Sequence, residues 1–326
     1  MVLTKKRLAI FSALLSIIYF ALFMGFSEQI GGNRGDGAFL HAAKTAFISL
    51  SAAMATSIVI MLTFKRDFLR WQAFSFNRFK YFLMMKVKRD FIARYRKSVL
   101  GVLWSLLNPL LTMIIMTIIF STVFENNIPN FPVYLFAGLV IFNFFSESTS
   151  QAMSSIIGNE GIIRRIYVPK YIFPLTRVIS SLINMAFGVV AMFIVVAATG
   201  APFYWTMLLI PIPIFFTFVF ALGLSLMLSA LTVYFRDLAY LWGVTLTLLQ
   251  FMSALFWPID ILPESVRPFI GLNPVFQFIS YMRSLVLDGV VPDLWTNLVC
   301  ASLALVSLCV GTYVFITKQE RFILYM

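Results

Sequence analysis

The chain has 326 residues, 61% of them hydrophobic and 12% charged, with a mean hydropathy of +0.93. Soluble domains carry roughly 25% charged residues, so this composition excludes a soluble globular protein and implies an integral membrane protein. The net charge of +12 does not indicate nucleic-acid binding: residues 65–97 hold eleven of the 25 Lys and Arg against two acids, Asp67 and Asp90, and a basic cluster beside a span sets orientation and meets anionic headgroups.

A membrane-crossing helix needs ~20 mostly apolar residues. Stretches of that kind fall at 8–26, 42–64, 100–124, 132–155, 174–199, 204–232, 241–258 and 295–317, which predicts eight spans. The first follows Lys5-Lys6-Arg7 and reads as a signal anchor rather than a cleaved leader. His41, the sole histidine, falls at the outer end of the second span beside Lys44, a place for a surface or interfacial side chain rather than a catalytic one.

After the second span, Phe79, Leu83, Val87 and Phe91 recur at four-residue spacing. They predict an amphipathic helix over 76–97 along the cytoplasmic surface, with Arg78, Lys86, Lys88 and Arg89 off the apolar stripe. Lys80 and Arg94 fall near the apolar side, where long cationic stems can snorkel. The next span contains "WSLLNPLL", in which Pro109 removes a backbone donor and predicts a kink.

In the fourth span, Asn143, Glu147, Ser150 and Ser154 follow at i, i+4, i+7 and i+11 and share one helix face. An acid at membrane depth marks a functional site by default. Glu147 also lies ~22 Å along that helix, so a place near the inner headgroups is the competing reading. The connection "GNEGIIRRIYVPKYIFP" (158–174) is bounded by glycines and prolines. It predicts a helix of about two turns whose cations suit a cytoplasmic partner. The next turn on that side, "YFRDLAYLWG", carries Arg236 and Asp237.

The stretch 257–289 has four prolines and apolar pieces too short to span. Non-helical backbone at membrane depth needs shelter from lipid, which predicts two short re-entrant helices from the outer face. In the last span, Cys300 and Cys309 fall on opposite faces of one helix and cannot pair. With 1–7 and 65–97 in the cytoplasm, 156–173, the Arg236 turn and the tail with Lys318 and Arg321 also fall inside. Residues 27–41, 125–131, 200–203 and 259–294 then fall outside, in agreement with the positive-inside rule.

Four pieces, "RDFIARYRKSVLGVLWSLLNPLL", "IIRRIYVPKYIFP", "YFRDL" and "LNPVFQFISYMRSLV", together resemble the membrane subunit of type-two ABC exporters of polysaccharide or polyol phosphate, the O-antigen, capsule and teichoic-acid permeases. The resemblance covers about 85–325. It implies an all-α inner-membrane protein with a six-helix core, both termini cytoplasmic, cytoplasmic coupling helices, and a homodimer served by two copies of a separate ATPase that binds ATP and Mg. The first two spans, within 1–70, have no place in the six-helix pattern.

The resemblance further implies that Glu160, Arg164, Arg165, Tyr167, Arg236 and Asp237 couple to the ATPase. It makes Arg89, Arg94, Arg96, Lys97 and Trp104 an entrance for a lipid-linked glycan. Arginine suits such a substrate's phosphate groups, and topology signalling alone is the other reading of these cations. Candidate channel residues are Asn143, Glu147, Ser150, Ser154, Tyr134, Phe142, Phe256 and Trp257, since aromatic faces can stack on sugar rings; most phenylalanines nonetheless face lipid or core. No catalytic or metal set is visible, and no G-x-x-x-x-G-K-[ST] run occurs. The rival reading is a membrane glycosyltransferase or acyltransferase acting through outer acids, Glu28 with Asp36 or Asp260 with Glu264. A non-catalytic scaffold is a third.

Overall fold

The computed structural model describes residues 66–95, 100–123, 130–261, 263 and 267–325; the two expected N-terminal spans, His41, Glu28, Asp36, Arg96 and Lys97 lie outside them. The described residues are helical throughout their regular structure. The long helix α1 (Arg66–Tyr95) precedes a short 3-10 turn (Gly101–Leu103) and α2 (Trp104–Val123). Then come α3 (Phe131–Met153), the short α4 (Glu160–Ile163), α5 (Ile172–Thr199) and α6 (Pro211–Tyr234). The chain closes with α7 (Leu238–Met252), α8 (Arg267–Gly271), α9 (Pro274–Arg283), α10 (Leu294–Lys318) and α11 (Phe322–Tyr325).

Among the described residues, five helices are long and apolar enough to cross a membrane: those containing α2, α3, α5, α6 and α10. The seventh expected span, 241–258, is shorter than its apolar stretch, because α7 stops at Met252. Ala254 takes φ +47°, a left-handed conformation that ends a helix in an L-residue only under constraint. The constraint is side-chain capping from the following segment: the Asn273 amide donates to the Met252 carbonyl (3.2 Å), and Arg283 donates to those of Ala254 (3.0 Å) and Leu255 (3.1 Å).

The segment expected to re-enter the membrane does form two short helices, α8 and α9. The Asn273 side chain caps α9 by accepting from Val275 N (3.0 Å). Phe278 packs against Phe220 of α6 and Tyr281 against Phe216. A helix of ten residues thus lies buried beside α6, where protein shelters it. The π turn Ser284–Asp288 follows, and Thr206 donates to its Leu285 carbonyl (2.7 Å), so the 200–210 and 259–294 stretches meet at one end of the bundle.

At the other end, one hydrophobic cluster joins Leu83 and Val87 of α1, Ile163 of α4, Val168, Phe173 of α5, Val233 of α6, Phe315 of α10 and Phe322 of α11. Every described stretch that charge placed on the cytoplasmic side converges there. α6 and α10 are in backbone contact: a Cβ on Gly311 would collide with the backbone of Gly223, and Ser307 donates to the Phe220 carbonyl (2.8 Å). Small residues permit this approach between membrane helices.

The α1 stripe packs against protein, with Phe91 stacked on Phe187 of α5. One expectation is corrected here. Lys86 is not off the stripe but buried, 4% exposed; it donates to the Asn159 side chain and lies over the Phe173 ring at 4.7 Å. Position 86 is seven residues from Phe79, two helical turns, so the helix brings it onto the same face. Burial pulls the Lys86 ammonium down to about 8 from 10.5, against the opposing pull of Asp90. A second row, Tyr81, Met84, Met85 and Ile92, stays exposed.

Candidate functional site

Pro109 lies inside α2 and cannot donate to the carbonyl one turn earlier. The α2 face around it presents Trp104, Ser105, Asn108 and Thr112 to a cavity of about 640 Å³. Asn143, Glu147, Ser150 and Gln151 of α3 line its second wall, and Asn184 and Gly188 of α5 the third. Arg94, in the last turn of α1, closes it.

Glu147 is the centre of this site. Its Oε1 accepts from Arg94 Nη1 (2.9 Å), Gln151 Nε2 (2.7 Å) and Asn184 Nδ2 (2.8 Å), so three helices hold one carboxylate oxygen. An ionised carboxylate is tolerated beside lipid-facing helices when charge-assisted bonds replace its water. The pair is partly open, with the Arg94 and Glu147 side chains 37% and 29% exposed.

A smaller pocket of about 300 Å³ lies beside it, lined by Asp90, Phe91, Ala93, Arg94, Arg177, Ser180 and Asn184. Arg177 Nη1 stands 3.0 Å from Asp90 Oδ2, an ionic contact whose direction misses hydrogen-bond alignment. Arg94 and Asn184 border both spaces.

Of the expected entrance residues, Arg94 and Trp104 therefore line the large cavity. Arg89 points elsewhere, exposed and 3.7 Å from Asp90. Among the expected channel residues, Asn143, Glu147 and Ser150 share the cavity wall. Ser154 is exposed at the end of α3 and donates to the Gln151 carbonyl (3.2 Å). Phe142 is buried in α3 away from the cavity. Phe256 stacks on Phe120 of α2 (5.1 Å between centroids) with Phe251 beside it. Tyr134 donates to the carbonyls of Ala254 (3.1 Å) and Trp257 (2.9 Å) in the turn after α7.

The coupling candidates sit on the face beneath the inner cluster. Glu160 and Arg164 pair at 2.7 Å across α4, and Arg165, Tyr167, Arg236 and Asp237 are exposed. Asn159, which Lys86 holds, immediately precedes α4, so α1 is tied to this segment.

Sequence reasoning did not single out Gln151, Asn184, Arg177, Ser180 or Arg283. The first three carried a usable signal, a polar side chain within or at the edge of an apolar run. Arg283 carried the same signal in "ISYMRSLVL". Among the described residues, no group of three or more His, Cys, Asp and Glu could hold a metal ion. Cys300 and Cys309 are free thiols.

The sequence model of the family described as ABC-2 type transporter matches residues 81–287. The chain is similar to the O-antigen export system permease protein RfbA of Myxococcus xanthus, 31% identical over 242 residues, 74% of this chain and 93% of that one. It is also similar to a Klebsiella pneumoniae O-antigen export permease RfbA, 31% identical over 64% of this chain and 80% of the relative. The polysialic acid transport protein KpsM of Escherichia coli is 25% identical over 71% of this chain and 91% of its own length.

Proposed function

Because the chain belongs to the ABC-2 type transporter family, we propose that it is the permease of an exporter that moves a lipid-linked cell-surface polysaccharide, of O-antigen or capsule class, out across the inner membrane. The permease works as a homodimer with two copies of an ATPase subunit that binds ATP and Mg, and both its termini are cytoplasmic. α4 and the residues up to Tyr167, with the Arg236–Asp237 turn, dock that ATPase. The exposed row Tyr81, Met84, Met85 and Ile92 rests on membrane lipid. Phe251, exposed beside the stack of buried Phe256 on Phe120, offers a ring face to passing sugars.

The observation that carries this reading is the cavity at Pro109, with a carboxylate inside a span and an arginine of the interfacial helix across it. A purely structural bundle has no use for a cavity into which Asn108, Asn143, Glu147 and Asn184 converge. Export is tested by co-expressing the chain with its ATPase in a host lacking its own exporter and measuring surface polysaccharide. Replacing Glu160, Arg164 and Arg165 together is expected to abolish export while the permease still inserts at normal levels. Undiminished export by that variant would remove the docking assignment, and no export by the wild-type pair would remove the function.

A further inference from the structure

Arg94 and Arg177, the two described arginines that line the smaller pocket, are each already engaged by an acid. Arg94 meets Glu147 at 2.9 Å, and Arg177 lies 3.0 Å from Asp90. Both guanidinium groups border the same 300 Å³ pocket, within the size range of small-ligand sites. The Ser180 hydroxyl also lines it, is 8% exposed and has no hydrogen-bond partner. Buried hydroxyls are normally satisfied, so an unpaired one beside two guanidiniums is an unused contact for an anion.

We propose that this pocket is a phosphate-class anion site held shut by its own carboxylates, and that an arriving anion opens it by replacing Glu147 on Arg94 and Asp90 on Arg177. The planar guanidinium fork binds phosphate oxygens in pairs, so a diphosphate can span two arginines while Ser180 donates to a further oxygen. The exchange leaves no stranded charge. Glu147 keeps Gln151 and Asn184 as donors after Arg94 leaves, and Asp90 keeps Arg89 at 3.7 Å.

The consequence is mechanical. Arg94 belongs to α1 and Glu147 to α3, so the ion pair is a strap between the interfacial helix and the span bundle. Arg94 and Asn184 also form the wall shared by the small pocket and the 640 Å³ cavity. Drawing Arg94 toward an anion in the small pocket removes its bond to Glu147 and joins the two spaces. This inference rests on the exporter reading in naming the anion's carrier as a lipid-linked substrate; the site itself needs only the residues described.

The test uses the full chain in nanodiscs, with inorganic pyrophosphate as probe and calorimetric titration as readout. Glu147→Gln keeps the shape and the neutral hydrogen bonds but removes the competing charge, and Asp90→Asn does the same for Arg177. Each is expected to tighten pyrophosphate binding by about tenfold, the scale of one lost charge-assisted contact. Arg177→Met and Ser180→Ala are expected to weaken it.

Equal or weaker binding by both amide variants, or no binding of pyrophosphate by any variant, overturns the proposal. Nanodiscs doped with polyprenyl pyrophosphate identify the source. Displacement of the free probe assigns the site to a lipid headgroup, and undisturbed tight binding assigns it to a soluble phosphate-class anion. Export by the wild type with unchanged probe affinity in the amide variants sinks the latch and leaves the function standing. Tightened affinity without export does the reverse.

Discussion

Near the C-terminal end of α3, Arg94 shares a carboxylate oxygen of Glu147 with two amides. Roughly 20 Å away along the same helix, Arg283 reaches the Tyr134 end, where among the described residues no acid pairs with it. Arg283 instead donates to the carbonyls of Tyr134 (3.2 Å), Ala254 (3.0 Å) and Leu255 (3.1 Å), with its guanidinium carbon 3.5 Å from the Tyr134 ring centroid. It is 8% exposed, whereas Arg94 opens onto two cavities. One cation is held by a partner that another anion can replace; the other is held by buried backbone carbonyls and a ring. The first arrangement suits exchange during a transport cycle, and the second fixes the break between α7 and the re-entrant helices.

That contrast is broken or sharpened most forcefully at Arg283. Arg283→Met removes three hydrogen bonds from a buried seat and leaves the Leu255 carbonyl without its donor, while the Ala254 carbonyl keeps the Tyr134 hydroxyl. The expected loss is about 2–3 kcal/mol, read as a lower thermal unfolding midpoint of the purified protein. Arg283→Lys keeps the charge without the fork and is expected to recover only part of it. If the Met variant melts with the wild type, Arg283 is not the pin described.

A smaller effect is expected at Gly138, one turn after Tyr134. A Cβ there would stand 3.0 Å from Arg283 Nη2 and 3.2 Å from Leu255 Cδ1. Gly138→Ala is expected to cost about 1 kcal/mol by crowding the guanidinium seat. A cost that persists in full when Arg283 is already Met would show that the two do not share one seat.

Lys86 adds a third cation, held like Arg283 by a neutral oxygen and a ring. Its folded-state value of about 8 lies below its ordinary 10.5. Below both values the lysine is charged in folded and unfolded chains alike, and its burial cost is constant. Between them the unfolded chain binds a proton that the folded chain lacks, so stability is expected to rise from about pH 8 toward 10.5. Lys86→Met should flatten that rise relative to wild type in unfolding melts across the same window. An identical slope in both proteins would dismiss the assignment.

The smallest stability change is expected at Arg94 itself. A half-exposed ion pair contributes under about 1 kcal/mol, so Arg94→Lys should melt close to wild type. Its export rate should nonetheless fall, because a lysine keeps the charge but not the bidentate geometry. Wild-type export by Arg94→Lys would reduce this arginine to an orientation signal.

Much of the architecture was legible from residue order. The spans at α2, α3, α5, α6 and α10 follow from apolar length, and Phe79, Leu83, Val87 and Phe91 announced α1. The polar face of α3 was visible at i, i+4 spacing, and three of its four members line the cavity. α7 was misjudged in length because its apolar run continues to Trp257, while the stop comes from Arg283 and Asn273, distant in sequence.

Composition and charge order determined that this chain is a membrane protein and which of its loops share a side, because hydrocarbon excludes charge whatever the packing. They could not determine what each helix faces. α2 and α3 are both apolar, yet 72% of the membrane-length stretch of α3 is buried against 6% of that of α2. Inside a bilayer, lipid and protein interior are equally apolar, so hydropathy does not distinguish them. The partners of Glu147, the buried place of Lys86 and the carbonyl cage of Arg283 were likewise decided only by the tertiary structure. Each joins residues on separate helices, and hydrogen-bond satisfaction is a property of that assembled contact rather than of any one segment.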